Sequence, residues 1–89
     1  GVYVLDEPET GLSQLGQVAL LAEILRLANA GSQLVVATHS PILLSAPGAV
    51  IYQLEDEVRR VGLEQTMEWD ALHRFLEDPD RLLAEFLDG

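Results

Sequence analysis

The fold of this chain is decided by residues 2–8, which read Val-Tyr-Val-Leu-Asp-Glu-Pro, and by residues 34–41, which read Leu-Val-Val-Ala-Thr-His-Ser-Pro. Each stretch opens with four apolar residues, a pattern typical of a short buried strand, and then turns polar. Open α/β sheets place their ligand sites at the carboxyl ends of such strands. The sequence therefore predicts two carboxylates, Asp6 and Glu7, and one imidazole, His39, at one edge of a sheet.

A helix is predicted between the two strands, over about residues 14–30. Ser13 is a suitable N-cap and Gly31 a suitable terminator. Apolar residues cover most of the predicted helix surface, as expected of a helix packed on a sheet. A strand, a helix and a strand at this spacing indicate a right-handed βαβ crossover, in which strands 2–5 and 33–38 are parallel and end at the same edge.

The side chains expected at this edge suit a metal-bound phosphate. An Asp can hold a hard cation through oxygen, a Glu can accept a proton from water, and a His can donate to a phosphate oxygen. Because Glu7 precedes Pro8, its backbone is expected to be extended, which would hold its side chain at the strand end. The plain alternatives are that two solvated acids end a buried strand and that His39 is a capping or core-edge histidine.

Two motifs carry a resemblance to a known family. Residues 2–8 resemble the Walker B motif of ATP-binding-cassette-type (ABC-type) ATPases, and residues 37–41 resemble their switch-histidine loop. The resemblance is to bacterial predicted ATPases of the AAA family that have ABC-type cores, and it covers roughly residues 1–65. Either motif alone is a weak pattern, whereas the two in this order, with one helix between them, are specific.

The resemblance implies a role for each residue at the edge. It makes Asp6 the ligand of Mg²⁺, Glu7 the residue that polarises the attacking water, and His39 the residue that senses the γ-phosphate of ATP. Residues 9–13 occupy the position of the dimer-contacting D-loop. In transporters this loop usually ends in Asp, where this chain has Ser13.

The phosphate cradle of such an enzyme is missing from the sequence. No Gly-x-x-x-x-Gly-Lys-Ser/Thr loop occurs, and all five basic residues are arginine, whereas a P-loop needs a glycine-rich turn and a lysine. The serine- and glycine-rich signature helix of the family is absent too. We therefore expect the 89 residues to be the C-terminal portion of a longer ATPase, to pair with its upstream P-loop half, and to be inactive alone.

Composition narrows the remaining possibilities. A net charge of −10 argues against a nucleic-acid or membrane surface on these residues, because both require clustered Lys and Arg. The absence of Cys excludes disulfides and thiolate metal sites and leaves the redox compartment open. No signal peptide is visible and no apolar run approaches the roughly 20 residues of a membrane span, so a cytoplasmic location is expected.

The rest of the chain is expected to form a strand pair and two helices. Ser40 before Pro41 is predicted to cap a short helical turn through Leu44. Residues 49–54 and 58–63 are predicted to be strands, Thr66 is predicted to cap one helix, and Asp78-Pro79 to begin another. The predicted fold class is α/β, a partial P-loop NTPase sheet with a βαβ crossover, a β-hairpin and two C-terminal helices. One domain is expected over residues 1–89, with 1–65 forming the motif-bearing part and 66–89 a helical tail.

A rival function belongs to a different class. The chain could be a non-catalytic interaction or regulatory module in which the acidic tail binds a partner and the ATPase-like strands are scaffold. In either case homodimerisation or another form of self-association is expected, since the opening strand belongs inside a mostly parallel sheet whose other strands are not in this sequence.

Overall fold

The computed structural model describes residues 1–88 and confirms the predicted fold class. The elements in chain order are β1 (Val2–Asp6), α1 (Gln14–Asn29), β2 (Gln33–Ala37), α2 (Pro41–Leu44), β3 (Ile51–Leu54), β4 (Val58–Val61), a short 3-10 helix (Leu63–Gln65), α3 (Met67–Glu77) and α4 (Pro79–Leu87). They form two compact units, one over Gly1–Ala49 and one that begins at Val50.

The first unit is built on the parallel pair β1–β2. Its register places Val2 beside Gln33 and Asp6 beside Ala37. Between the strands, the Ser13 hydroxyl caps α1 by accepting the Gly16 N–H at 3.0 Å, as predicted. At the other end the chain turns into β2 through Gly31, whose φ of +99° suits a residue without a Cβ.

The apolar strands are only partly buried, as expected of a sheet whose other strands are not in this sequence. Val2, Val4 and Val35 are 71%, 75% and 55% exposed. Along β2 the exposed and half-buried residues alternate, so one face of the pair is covered and the other is bare. The physical reason is that α1 packs on a single face of a two-stranded sheet, and the buried apolar side chains among residues 1–88 are Ile24 of α1 and Leu43 of α2.

The second unit joins an antiparallel hairpin to two capped helices. Strands β3 and β4 are shorter than predicted, because a turn closed by the Ala49 N–H on the Ala46 carbonyl precedes β3 and a 3-10 helix follows β4. The predicted caps are confirmed. The buried Thr66 hydroxyl accepts the Trp69 N–H at 3.2 Å, and Asp78 accepts the Arg81 N–H at 3.1 Å.

Within the described residues, no helix is long and apolar enough to cross a membrane.

Candidate functional site

The parallel pairing brings the predicted site residues to one edge of the sheet. Asp6 is the last residue of β1 and lies beside Ala37, the last residue of β2. The Glu7 N–H continues the ladder by donating to the Ala37 carbonyl at 2.7 Å. His39 follows Ala37 by two residues, so it lies in the loop that leaves the same edge. Asp6, Glu7 and His39 are all exposed to solvent.

The backbone of Glu7 is in the left-handed region, with φ of +45°, where an extended conformation was predicted. Glu7 is the one residue other than glycine with a positive φ among the described residues. Both of its backbone groups are held, the N–H by Ala37 and the carbonyl by the N–H and hydroxyl of Thr10 at 3.2 and 3.0 Å. These contacts override the bias of a residue before proline, and such a conformation costs on the order of 1–3 kcal/mol.

Glu9 is a residue that sequence reasoning passed over as part of a loop. Its Oε2 accepts the His39 N–H at 3.1 Å, across 30 residues of sequence. Burial raises the pKa of Glu9. The opposing effects are larger, so the pKa lies below its usual 4.5: they are hydrogen bonds from the Thr38 hydroxyl and from the Glu9 and His39 backbone amides, and the charge of His39. The other oxygen, Oε1, is buried and has no hydrogen bond of good geometry within the described residues. The carboxylate is therefore held in its charged form against the loop that carries His39.

A second set of contacts fixes the residue after His39. Ser40 is 4% exposed, and its hydroxyl caps α2 by accepting the Leu43 N–H at 3.2 Å, as predicted from Ser40-Pro41. The same hydroxyl donates to Gln17 Oε1 at 2.5 Å. Gln17 Nε2 donates in turn to the Leu12 carbonyl at 3.3 Å. Gln17 was not singled out from the sequence, since its partner lies 23 residues away.

The side chains at this edge could supply one ligand to a cation whose other ligands are water and phosphate. Within residues 1–88 no three His, Asp or Glu side chains are grouped so that they could hold a metal ion between them. Asp6 offers one exposed carboxylate at the end of β1. Mg²⁺ is commonly held by one or two carboxylates together with water and substrate phosphates. Asp6 fits that pattern as a single protein ligand.

The fold is mixed α/β, and a comparison with protein families adds which family the chain resembles. Residues 1–45 match the family model described as "AAA domain, putative AbiEii toxin, Type IV TA system". The match spans just over half of the 89 residues, and the chain belongs to this family. The match supports assignment of residues 1–45 to an AAA-type ATPase domain, a family whose function is nucleotide binding. A search of curated proteins finds no match.

The left-handed backbone at Glu7 leads to a stability prediction. Glycine adopts this conformation without the steric cost that a Cβ imposes. We expect the free energy of unfolding of Glu7→Gly to exceed that of Glu7→Ala by about 1 kcal/mol in urea denaturation of the chain. The matched pair at Glu23, inside α1, should show the opposite order, because Gly costs about 1 kcal/mol relative to Ala in a helix. If the Ala variant were the more stable one at both sites, the strained backbone at Glu7 would be contradicted.

The lowered pKa of Glu9 predicts a dependence of stability on pH. A carboxylate with a lower pKa in the folded state stabilises that state above its unfolded pKa and loses this contribution as the pH falls through the folded value. We expect the free energy of unfolding of the native chain to decrease as the pH falls below 4.5, and Glu9→Gln to remove part of that decrease. Thr38→Val should remove a smaller part. An NMR titration in which the Glu9 carboxyl titrates at or above 4.5 would refute this account.

Proposed function

We propose that this chain supplies the Walker B carboxylates and the switch histidine of an ABC-type ATPase core, in a longer protein whose P-loop lies outside these 89 residues. The observation that carries the proposal is the parallel β1–β2 register, which sets Asp6 and Glu7 beside the loop of His39. Membership of the AAA-type family supports it at the level of nucleotide binding. ATP and Mg²⁺ are the ligands that proteins of this type generally bind.

Each residue at the edge has a role in hydrolysis of the β–γ bond. Asp6 would hold the cation through a carboxylate oxygen. Glu7 orients the attacking water and accepts its proton, for which an exposed carboxylate at a fixed backbone position is suited. His39 donates a hydrogen bond to a γ-phosphate oxygen. Bound Mg²⁺ would neutralise phosphate charge, and in-line attack by water completes the reaction.

The proposed role of Glu7 is tested in a protein that joins residues 1–89 to its upstream P-loop segment. Glu7→Gln keeps the shape of the side chain and loses the proton acceptor, so single-turnover hydrolysis should slow by about 100-fold or more while ATP binding stays close to normal. Glu23→Gln, which changes an exposed carboxylate of α1, is the matched control. Hydrolysis at the native rate in Glu7→Gln would exclude the role.

Residues 1–89 alone should neither hydrolyse ATP nor bind it more tightly than millimolar, since the chain has no lysine and no glycine-rich cradle. A micromolar constant in calorimetric titration with Mg-ATP would show that the chain has a complete phosphate site of its own. Absence of any in-frame P-loop upstream in the gene would remove the basis for the ATPase proposal.

The bare face of β1 and β2 is the proposed contact for the upstream half of the protein, or for a second copy when that half is absent. Val2, Val4 and Val35 are exposed on this face, and parallel sheets normally have both faces covered. The net charge of −10 opposes association of two copies. At physiological ionic strength the Debye length is about 8 Å, so repulsion between distant charges weakens far more than contact between apolar faces.

We therefore expect the chain alone to sediment as a dimer or larger species. Val4→Gln should weaken this association, because it places an amide in the middle of the bare face. Leu15→Gln, at an equally exposed apolar position of α1, should leave it unchanged. Sedimentation equilibrium that shows a folded monomer of the native chain over a wide concentration range would contradict the proposed contact.

A second candidate function, a non-catalytic interaction module, is favoured by one feature of the second unit. Phe86 and Leu87 of α4 are 78% and 82% exposed, although the amphipathic pattern indicates a buried face. An apolar helix face among acidic residues suits a basic amphipathic partner. The Glu7→Gln assay separates the two functions, because an interaction module needs no hydrolysis.

A further inference from the structure

Two loops leave the sheet edge, and side chains join them at several points. The first loop, residues 7–13, follows β1, and the second, residues 38–40, follows β2. We propose that Glu9 is a positioning residue that holds the His39 loop, residues 38–40, against the loop that follows β1. Gln17 holds the same loop at a second point, Ser40. The effect on turnover rests on the proposed function, whereas the contact itself can be tested without it.

Glu9 acts on the backbone of His39. Strand β2 ends at Ala37, so the His39 amide lies beyond the ladder of the sheet, and Glu9 Oε2 accepts it at 3.1 Å. A carboxylate acceptor makes this a charge-assisted hydrogen bond, which is roughly twice as strong as a neutral one. Because the bond is to the amide, it sets the position of the Cα from which the imidazole projects.

The contact spreads over three successive residues. The Thr38 hydroxyl lies beside Glu9 and accepts the Ser40 N–H at 3.0 Å. The Ser40 hydroxyl donates to Gln17, which also binds the Leu12 carbonyl at the end of the first loop. The His39 loop is thus held at Thr38 and His39 by Glu9 and at Ser40 by Gln17.

Glu9 is also linked to Glu7, the residue proposed to orient the attacking water. It follows Glu7 by two positions, and Thr10 returns to the Glu7 carbonyl through its N–H and hydroxyl. A shift of this turn therefore moves Glu7 and the acceptor of the His39 amide together. Glu7 and His39 therefore keep their relative position through these contacts and the strand ladder, although they lie far apart in the sequence.

The first experiment measures amide hydrogen exchange by NMR in the 89-residue chain. In Glu9→Ala the His39 amide should exchange about 10-fold faster or more than in the native chain, because its acceptor is gone. Glu9→Gln keeps an oxygen acceptor and should recover part of the protection. Glu23→Ala, which removes an exposed carboxylate paired with Arg26, is the control and should leave His39 unchanged. Native protection of His39 in a folded Glu9→Ala chain would overturn the proposal.

The second experiment measures steady-state ATP hydrolysis by residues 1–89 joined to the P-loop segment. Glu9→Ala should lower kcat by about 10-fold or more with little change in KM for ATP, since a displaced group costs rate more than binding. Glu9→Gln should recover much of kcat, and Glu9→Ala added to His39→Ala should cost nothing further. Losses that multiply in the double variant would overturn the positioning role. If the native protein fails to hydrolyse ATP, the proposed function fails, and the exchange experiment alone decides on Glu9.

Discussion

The parallel pairing of β1 with β2, extended by the hydrogen bond from the Glu7 N–H to the Ala37 carbonyl, is the interaction on which the first unit depends. It fixes which strand ends lie side by side, and therefore which loop side chains can meet. Glu9 can reach the His39 amide because both loops begin at the same level of the sheet. A slip of the register by one residue would reverse the face on which every strand side chain lies.

The local conformation at Glu7 connects this pairing to chemistry. The ladder bond holds its N–H and Thr10 holds its carbonyl, so a backbone that costs free energy is maintained by its neighbours. Strained residues of this kind persist only where the surrounding structure over-determines them, and they cluster at functional sites. In this molecule the strain falls on the carboxylate proposed to orient water, directly after the strand that positions it.

Sequence reasoning succeeded where the controlling interaction is local. Ser13, Ser40, Thr66 and Asp78 were recognised as caps, because a capping side chain bonds an amide only two or three residues away. The α/β order followed from the two apolar runs and the helix between them. The catalytic and metal roles of Glu7, His39 and Asp6 stay predictions.

The features that were missed depend mainly on contacts between residues far apart in the chain, which cannot be inferred from the sequence alone. Glu7 was expected to be extended from its neighbour Pro8, but contacts to Ala37 and Thr10 prevail over that local bias. Glu9 and Gln17 escaped notice because their partners lie 30 and 23 residues away. The sequence indicated that the apolar strands would be partly bare, but not which face, because coverage of a strand face depends on what packs on it rather than on its own residues.

The division of the chain into two units bears on where substitutions can be tolerated. Every residue proposed to handle nucleotide lies before Ala49, and the family match ends at residue 45, inside the first unit. The second unit makes its own hairpin and caps its own helices from nearby residues. We therefore expect substitutions that disturb the proposed nucleotide edge to fall within the first unit, whereas the hairpin and helices of the second unit should accept substitution without loss of the contacts that Glu9 and Gln17 make.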